Sequence, residues 1–266
     1  MIPIEFKTTE GDNAESIMPI WPKQSSGFAD QILKPEYRAR KLRFPLGTTW
    51  LRIVPAIATS PLSWMLGLHI QEYTGGRFVH PKTLEKGKKS IFDQAYSWMK
   101  KHHPEALFTK ANKTGARLLT DPHTLCWVLV EENGKTVARL LYASGYDGSR
   151  GGVAGLGYQI WKAAQETDEH GKVVVNAIDP SAGFKVCIEK SQNPGAKYPT
   201  YSLRVGRVPA PMTPILDSMD AEEVKALCPL ENVVLQLSEE EQWKCLEAYL
   251  PKETVAEIQS EALASS

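Results

Sequence analysis

The feature that most constrains the fold is a hairpin signal in residues 124–145, TLCWVLVEENGKTVARLLYASG. Two apolar, strand-forming runs, 125–130 and 136–143, flank the residues Glu131-Glu132-Asn133-Gly134. Asn-Gly between two such runs is the strongest short turn signal for a hairpin. We therefore predict an antiparallel β-hairpin at this position.

Short strands also dominate the sequence on both sides of the hairpin. The patterns predict strands at 48–54, 63–73, 76–80, 172–177, 184–189 and 200–208, and helices at 91–108 and 156–165. Strands and helices do not alternate as they do in a parallel sheet. The simplest architecture for these elements is therefore a small antiparallel barrel. The fold class predicted is mainly β with inserted helices, followed by a helical acidic C-terminal segment.

Residues 41–80, KLRFPLGTTWLRIVPAIATSPLSWMLGLHIQEYTGGRFVH, combine strand patterns with aromatic and cationic side chains. Aromatic faces stack on unpaired bases and cations contact phosphates in proteins that bind single-stranded nucleic acid. Aromatic residues of strands are, however, as often part of a hydrophobic core. The composition predicts a sheet that faces nucleic acid, and leaves open which aromatic rings stack.

The charge of the chain is zero in total but unevenly distributed. Residues 31–117 carry 16 Lys and Arg against 5 Asp and Glu, whereas residues 211–266 carry 3 against 12. A basic body with an acidic tail is typical of a protein that binds a polyanion and has a segment that binds partners or competes for the basic surface. The segment 34–43, KPEYRARKLR, is rich in cations and leads directly into the first predicted strand.

These patterns divide the chain into three parts. We expect an acidic N-terminal arm at 1–33, a nucleic-acid-binding core at 34–208, and a linker with an acidic helical segment at 209–266. In the last part, Ser238 and Glu241 form a capping-box pattern that opens a helix, and a second helix follows from Lys252. The helical segment is apolar on one side only, so it must dock on the body or on a partner.

The sequence gives no sign of a metal site, a cofactor or a membrane span. The cysteines Cys126, Cys187, Cys228 and Cys245 are scattered without a CxxC pair, which favours buried reduced thiols. The glycine-rich run 145–161 matches neither the GxxxxGK[ST] nor the GxGxxG pattern of phosphate-binding loops. We interpret it as a loop that enters a short helix. With no long apolar run and no signal-peptide pattern, the expected location is cytoplasmic, in the host cytoplasm if a phage encodes the chain.

Several segments together resemble the single-stranded DNA-binding, helix-destabilising proteins of T-even and related phages. The similarity lies in the basic-aromatic run 41–55, the hairpin 124–145, the Asp-Pro turn and Phe-containing strand of 176–190, and the Tyr-rich run 197–204. It implies an OB-fold core with a basic, aromatic-lined cleft, and an acidic C-terminal segment that recruits replication or recombination proteins. The family's zinc subdomain does not carry over, because residues 64–117 contain no cysteine. Its basic arm has no counterpart in the acidic residues 1–30.

The leading hypothesis is a non-enzymatic protein that coats and protects single-stranded DNA during replication, recombination or repair, and that recruits partners through residues 211–266. We expect the following side chains to contact nucleic acid: Arg43, Trp50, Arg52, Trp64, Tyr73, Arg77, Phe78, Lys82, Lys88, Lys89, Arg139, Tyr142, Tyr198 and Arg204. We also expect the acidic tail to compete for this surface, so that deletion of residues 211–266 tightens binding at low salt.

Two alternatives stay open. One is a nucleic-acid-processing enzyme, such as a metal-dependent nuclease or a nucleotide-modifying protein, that uses the glycine-rich loop and dispersed carboxylates such as Asp121, Asp147 and Asp179. The other is an interaction adaptor that acts through the helical C-terminal segment.

Overall fold

The computed structural model describes residues 32–54, 68–73, 78–81, 88–107, 118–148, 154–167, 169–170, 173–195, 199–247 and 250–264. The chain divides into two compact units. The sheet unit takes the described residues of 33–70 and 122–234, and the helical unit takes those of 1–32, 71–121 and 235–266. The predicted N-terminal arm therefore lies almost wholly outside the described residues.

The sheet unit contains most of the strands. A 3-10 helix, Pro35–Arg40, precedes β1 (Gly47–Ile53). The remaining elements are β2 (Leu68–Tyr73), β3 (Thr120–Glu132), β4 (Lys135–Ser144), helix α3 (Leu156–Ala164), β5 (Gln165–Thr167), β6 (Val173–Asn176), β7 (Phe184–Ser191), β8 (Thr200–Pro209), α4 (Met212–Asp217), α5 (Ala221–Ala226) and a 3-10 turn, Leu230–Asn232. The unit division falls inside β2 and just after the start of β3.

Strand β1 is central in the antiparallel sheet. It pairs with β3 on one side and with β7 on the other, β7 pairs with β8, and β3 pairs with β4 and also with β2. The predicted hairpin is confirmed as β3–β4, with Asn133 and Gly134 at positive φ in the turn. Among the described residues no pairing joins β4 to β8, so the sheet is open. Strands β5 and β6 form a separate two-stranded sheet.

The two faces of the sheet have different coverings. Alternate residues such as Leu51, Val128 and Ile188 point to one face, where Leu156 and Ile160 of α3 complete a hydrophobic core. Full burial of each such side chain stabilises the fold by about 1.5–3 kcal/mol. The other face, called here the outer face, carries Trp50, Arg52, Trp127 and Cys187.

Residues 212–234 belong to the sheet unit and cover the outer face over β3. The Trp127 Nε1–H donates to the Cys228 carbonyl at 2.9 Å, and the Tyr37 ring packs edge-on against Trp127 at 6.4 Å. Met212, Met219, Leu230, Val233 and Val234 are buried. The sequence predicts a linker at Pro209, Pro211 and Pro214, but α4 starts among these prolines, because short helices tolerate proline in their first turn. Residues 209–234 lie in the same compact unit as the sheet.

The helical unit contains α1 (Ile91–His102), α2 (Pro104–Leu107), α6 (Glu239–Glu247) and α7 (Lys252–Ala264). Helix α1 starts with a capping box, in which the Ser90 hydroxyl accepts from Asp93 N and the Asp93 carboxylate accepts from Ser90 N. The predicted cap of α6 is present as well, since Ser238 N donates to Glu241 at 2.8 Å. The apolar sides of α1, α6 and α7 share one core, which includes Phe92, Met99, Leu246, Val255 and Ile258.

The architecture is therefore mixed: an antiparallel sheet plus several helices. This confirms the antiparallel strands and the inserted helices. Helix α4 occupies the expected linker, whereas α5 falls in the segment that the sequence predicts to be helical. None of the helices in the described ranges is long and apolar enough to cross a membrane.

Candidate nucleic-acid interface

A groove of about 870 Å³ lies on the sheet unit, next to the outer-face residues of β1, β7 and β8. Its cationic lining comes from Arg43, Lys185 and Arg207, and its aromatic lining from Trp50. The rest of the lining consists of Leu42, Pro45, Thr48, Thr49, Val130, Glu131, Glu132, Gly206, Val208, Pro209 and Ala210. The groove thus combines an aromatic ring with cations, as single-strand binding requires.

Strand register places a tryptophan of β1 and an arginine of β8 on the outer face, with β7 between the two strands. Trp50 of β1 pairs with Cys187 of β7, and Cys187 pairs with Arg204 of β8. The three side chains therefore form one row across the sheet. The Arg204 guanidinium lies 5.7 Å from the centre of the Trp50 ring, within cation–π range. Since Trp50 remains 45% exposed, part of its ring is accessible to a ligand.

Gly206 creates the space in which the Trp50 ring lies. A Cβ at position 206 would stand 2.9 Å from the Lys185 carbonyl oxygen and 3.4 Å from Trp50 Cζ3. The first distance is shorter than side chains tolerate against backbone, so any larger residue would force β8 or the indole to shift. Because Gly206 has no side chain, the Trp50 ring can lie close to the sheet.

The cations of the groove differ in how far they are neutralised. Lys185 pairs with Glu131 at 3.1 Å, and Glu132 accepts a hydrogen bond of 3.0 Å from Arg139 Nε. Arg43, Arg204 and Arg207 are exposed. The neighbouring Cys187 thiol, more than any other group, raises the pKa of Arg204. Arg204 therefore stays charged at any pH at which DNA binding would be measured.

Of the predicted contact residues, Arg43 and Trp50 line the groove, and Arg204 lies beside the Trp50 ring. Arg139 and Tyr142 are half-buried in β4, where Arg139 pairs with Glu132 and the Tyr142 ring stacks on His123 at 4.6 Å. Lys88 and Lys89 are exposed in the helical unit, just before α1. For Tyr73 the structure describes only the backbone, in β2. Four predicted residues lie outside the described ranges: Trp64, Arg77, Lys82 and Tyr198.

Two of the predicted contacts do not fit their positions. Arg52 is only 1% exposed, and Phe78 is 0% exposed in the helical core, where its ring packs edge-on against Phe92 at 5.2 Å. Arg52 Nε donates to the Ala210 carbonyl at 2.8 Å, and Nη1 donates to the carbonyls of Ile53 and Ala177 at 2.9 Å each. Nη2 donates to the Asp179 carbonyl.

Arg52 therefore joins β1 to the 177–183 turn and to the end of β8. Burial lowers the pKa of Arg52, and the nearby Asp179 opposes this effect. With its donors on backbone carbonyls, the guanidinium is a structural cross-link. We therefore leave Arg52 and Phe78 out of the interface.

Lys185, Gly206 and Arg207 are interface residues that the sequence analysis missed. The alternation of β8 made Arg204 a candidate, but the position of Lys185 depends on the pairing of β7 with β1 and β8. Arg207 follows the glycine that interrupts the apolar alternation of β8. Gly206 was the one sequence signal for this site, because a glycine inside a strand indicates a close approach of another group.

Asp179 and two glycines of the glycine-rich run, which the nuclease alternative would use, have structural roles. The Asp179 carboxylate accepts from Ser181 N at 2.8 Å and Ala182 N at 2.7 Å, which closes its own turn. Gly155 and Gly157 let the start of α3 approach β4, since a Cβ at Gly155 would lie 2.3 Å from the Ser144 carbonyl oxygen. No group of three His, Cys, Asp or Glu side chains in the described ranges is placed to hold a metal ion.

Comparison with known proteins adds no identification. No protein-family model matches the chain, and no curated protein matches its sequence.

Proposed function

We propose that this chain is a non-enzymatic single-stranded DNA-binding protein that holds the strand in the groove beside Trp50. The observation that carries the proposal is the accessible Trp50 ring, held over Gly206 and flanked by Arg43, Arg204 and Arg207. A base stacks on an exposed ring whatever its identity, and the surrounding cations contact the phosphates on either side.

The order of the strands supports an OB-fold relationship for the sheet unit. An OB-fold is a five-stranded, partly open barrel in which the first strand pairs with the second and the fourth. Here β1 pairs with β3 and β7, β4 and β8 are the outer strands, and α3 lies between β4 and β7 in sequence. Helix α3 contacts both β4 and β8, the two strands that a closed barrel would join. We therefore propose that the sheet unit is an OB-like open barrel.

Coating and protection of DNA during replication, recombination or repair follow from this mode of binding. A sheet that recognises base faces and phosphates needs no particular sequence and requires unpaired bases. Partner proteins would then be recruited by the exposed carboxylates of α6 and α7, which include Glu239, Glu240, Glu253 and Glu257.

The test is a salt titration of binding to fluorescent oligo-dT, to oligo-U of equal length and to the matched duplex. We expect tight binding to oligo-dT over duplex, with log K falling linearly against log salt. Substitution Arg204→Ala should reduce that slope by about 0.7, the value for one phosphate contact on a single strand. Equal affinity for duplex and oligo-dT, or no binding at low salt, would refute the proposal.

The Trp50 contact is tested with two substitutions of similar size. Trp50→Leu removes the flat ring and should weaken oligo-dT binding by about 1–3 kcal/mol, whereas Trp50→Phe keeps an aromatic face and should retain most of the affinity. Leu46→Ala is the control, because Leu46 is an exposed apolar residue before β1 that does not line the groove. If Trp50→Leu bound as tightly as the unmodified protein, Trp50 would not be a stacking platform.

A further inference from the structure

A second, smaller pocket of about 200 Å³ lies beside the groove, and the Trp50 ring lines both. Leu129, Pro214 and Ile215 supply its apolar walls, and Arg52, Glu131 and Lys185 supply charged groups. The Arg52 guanidinium already donates to backbone carbonyls, so Glu131 and Lys185 are the charged groups that a ligand would meet. A small apolar pocket with a few polar groups is the usual form of a site for a planar heterocycle. Because one face of the pocket is an aromatic ring, a base that leaves the strand's stack can enter without losing its stacking.

The polar groups determine which base edge fits. The Glu131 Oε1 atom lies 3.1 Å from Lys185 Nζ, so an acceptor group and a donor group stand side by side. A carboxylate offers two acceptor oxygens, and an ammonium only donates. Guanine presents two neighbouring donors, N1–H and the N2 amino group, next to the O6 acceptor. Thymine, uracil, cytosine and adenine each lack the second adjacent donor.

We propose that this pocket receives one guanine from the bound strand, with Glu131 accepting from N1–H and N2–H and Lys185 donating to O6. The inference rests on the proposed function, and it adds a base preference to a surface that otherwise binds any sequence. Recognition of the Watson–Crick edge of a splayed base is the usual way in which single strands are distinguished by sequence.

The experiment compares three oligonucleotides of equal length in a lithium buffer, which avoids guanine quadruplexes. One is oligo-dT, the second has guanine at every third position, and the third has inosine at the same positions. Inosine lacks only the N2 amino group, so it tests the second hydrogen bond to Glu131. The unmodified protein should bind the guanine oligonucleotide about fivefold or more tightly than the other two.

Two variants of the pocket and one control complete the test. Glu131→Gln leaves a single acceptor oxygen and adds an opposing donor, and Ile215→Trp fills the pocket. Both should lose the guanine preference, and Ile215→Trp, at a residue that does not line the groove, should also keep the affinity for oligo-dT. Glu189→Gln, which removes an exposed carboxylate of β7 outside the pocket, should keep the preference.

The failure of this inference is distinguishable from failure of the proposed function. Tight but equal binding of all three oligonucleotides by the unmodified protein would overturn the guanine pocket and leave the single-strand interface intact. A guanine preference that persists in both Glu131→Gln and Ile215→Trp would also overturn it. Absence of binding to every oligonucleotide would overturn the proposed function, and this inference with it.

Discussion

Single residues on the outer face of β1 show why strand alternation alone does not identify a binding surface. Trp50 and Arg52 lie two positions apart and point to the same face, yet Trp50 is 45% exposed and Arg52 is 1% exposed. The difference comes from residues far away in sequence. The 177–183 turn and Ala210 place their carbonyls around Arg52, whereas Trp50 lies beside Gly206 and Arg204 and remains open to solvent.

Substitution Arg52→Met should therefore reduce stability more than binding. It would remove the arginine donor from four backbone carbonyls, of which those of Ala177 and Asp179 keep a backbone donor in Phe184 N and Gly183 N. Each buried polar group that is left unsatisfied costs about 1–3 kcal/mol. We expect a loss of about 3 kcal/mol or more in the free energy of unfolding, measured by urea denaturation.

The folded fraction of Arg52→Met should still bind oligo-dT with a normal salt slope. Arg204→Ala is the matched comparison, because it removes an exposed arginine of the same face and should lower the slope with little effect on stability. If Arg52→Met lowered the salt slope at unchanged stability, Arg52 would be a phosphate contact after all.

At the scale of elements, local sequence patterns predicted most of the strands and helices. The hairpin, β1, β7, β8, α1, α6 and α7 all begin within a few residues of their predicted starts, because each has a local cause such as Asn-Gly, a capping box or helical spacing. Helix α4 was missed, because prolines suggested a linker. Strand pairing, and with it the groove, depends on contacts between distant segments that no local pattern encodes.

Gly206 links the position of β8 to the orientation of the Trp50 ring. In the Gly206→Ala variant the new Cβ would contact the Lys185 carbonyl and the indole, so the strand or the ring must move. We expect a loss of about 1–3 kcal/mol in stability, typical of overpacking, together with several-fold weaker oligo-dT binding. Urea denaturation and the oligonucleotide titration measure the two effects. Ser202→Ala, at an exposed position on the same side of β8, should change neither, and an unaltered Gly206→Ala would contradict the role of the glycine.

Helix α5 and β4 are joined by a carboxylate whose effect depends on pH. Glu223 Oε2 accepts from Ala138 N and from Arg40 Nη1, each at 2.8 Å. Burial raises the pKa of Glu223. These two hydrogen bonds and the charge of Arg40 together lower the pKa by more than burial raises it, so the net shift is downward. A depressed pKa in the folded state means that the carboxylate stabilises the fold above the ordinary glutamate pKa, and that this contribution is lost as the pH falls through the folded-state value.

Glu223→Gln should consequently lower stability at neutral pH by about 1–2 kcal/mol and lessen the decline of stability in acid. Urea denaturation at several pH values from neutral to acid measures both effects. Glu222→Gln is the control, because Glu222 is exposed on the same helix. Parallel stability–pH curves for Glu223→Gln and the unmodified protein would show that Glu223 does not contribute to the pH dependence.

At the scale of the whole molecule, the acidic C-terminal segment is part of both folded units. Residues 212–234 complete the sheet unit, and α6 and α7 supply Cys245, Leu246, Val255 and Ile258 to the helical core. Within each unit these segments also pair with basic residues, as in Arg40–Glu223 at 2.8 Å and Lys101–Glu261 at 2.7 Å. The uneven charge along the sequence is thus partly balanced inside the units, which a count along the chain cannot show.

Truncation after residue 234 should therefore unfold the helical unit and leave the sheet unit folded. The deletion removes Leu246, Leu250, Val255 and Ile258 from the core shared with α1, and each large buried side chain contributes about 2–5 kcal/mol. Their sum is comparable to the entire stability of a small domain. Hydrogen exchange should show loss of protection in α1 and retained protection in β1 and β7. Retained protection in α1 would contradict this prediction.

Truncation after residue 210 should destabilise the sheet unit as well, because it exposes Trp127 and removes Met212, Val233 and Val234. A change in DNA affinity after either deletion would then reflect unfolding and would not measure competition by the tail.

Competition of the acidic helices with DNA for the basic surface is tested instead by Glu253→Gln and Glu257→Gln together, two exposed positions of α7 that leave its buried side intact. If the acidic helices compete for the basic surface, this variant binds oligo-dT more tightly at low salt, and the gain disappears as salt screens the charges. Equal affinity at low salt would limit the role of these carboxylates to partner recruitment.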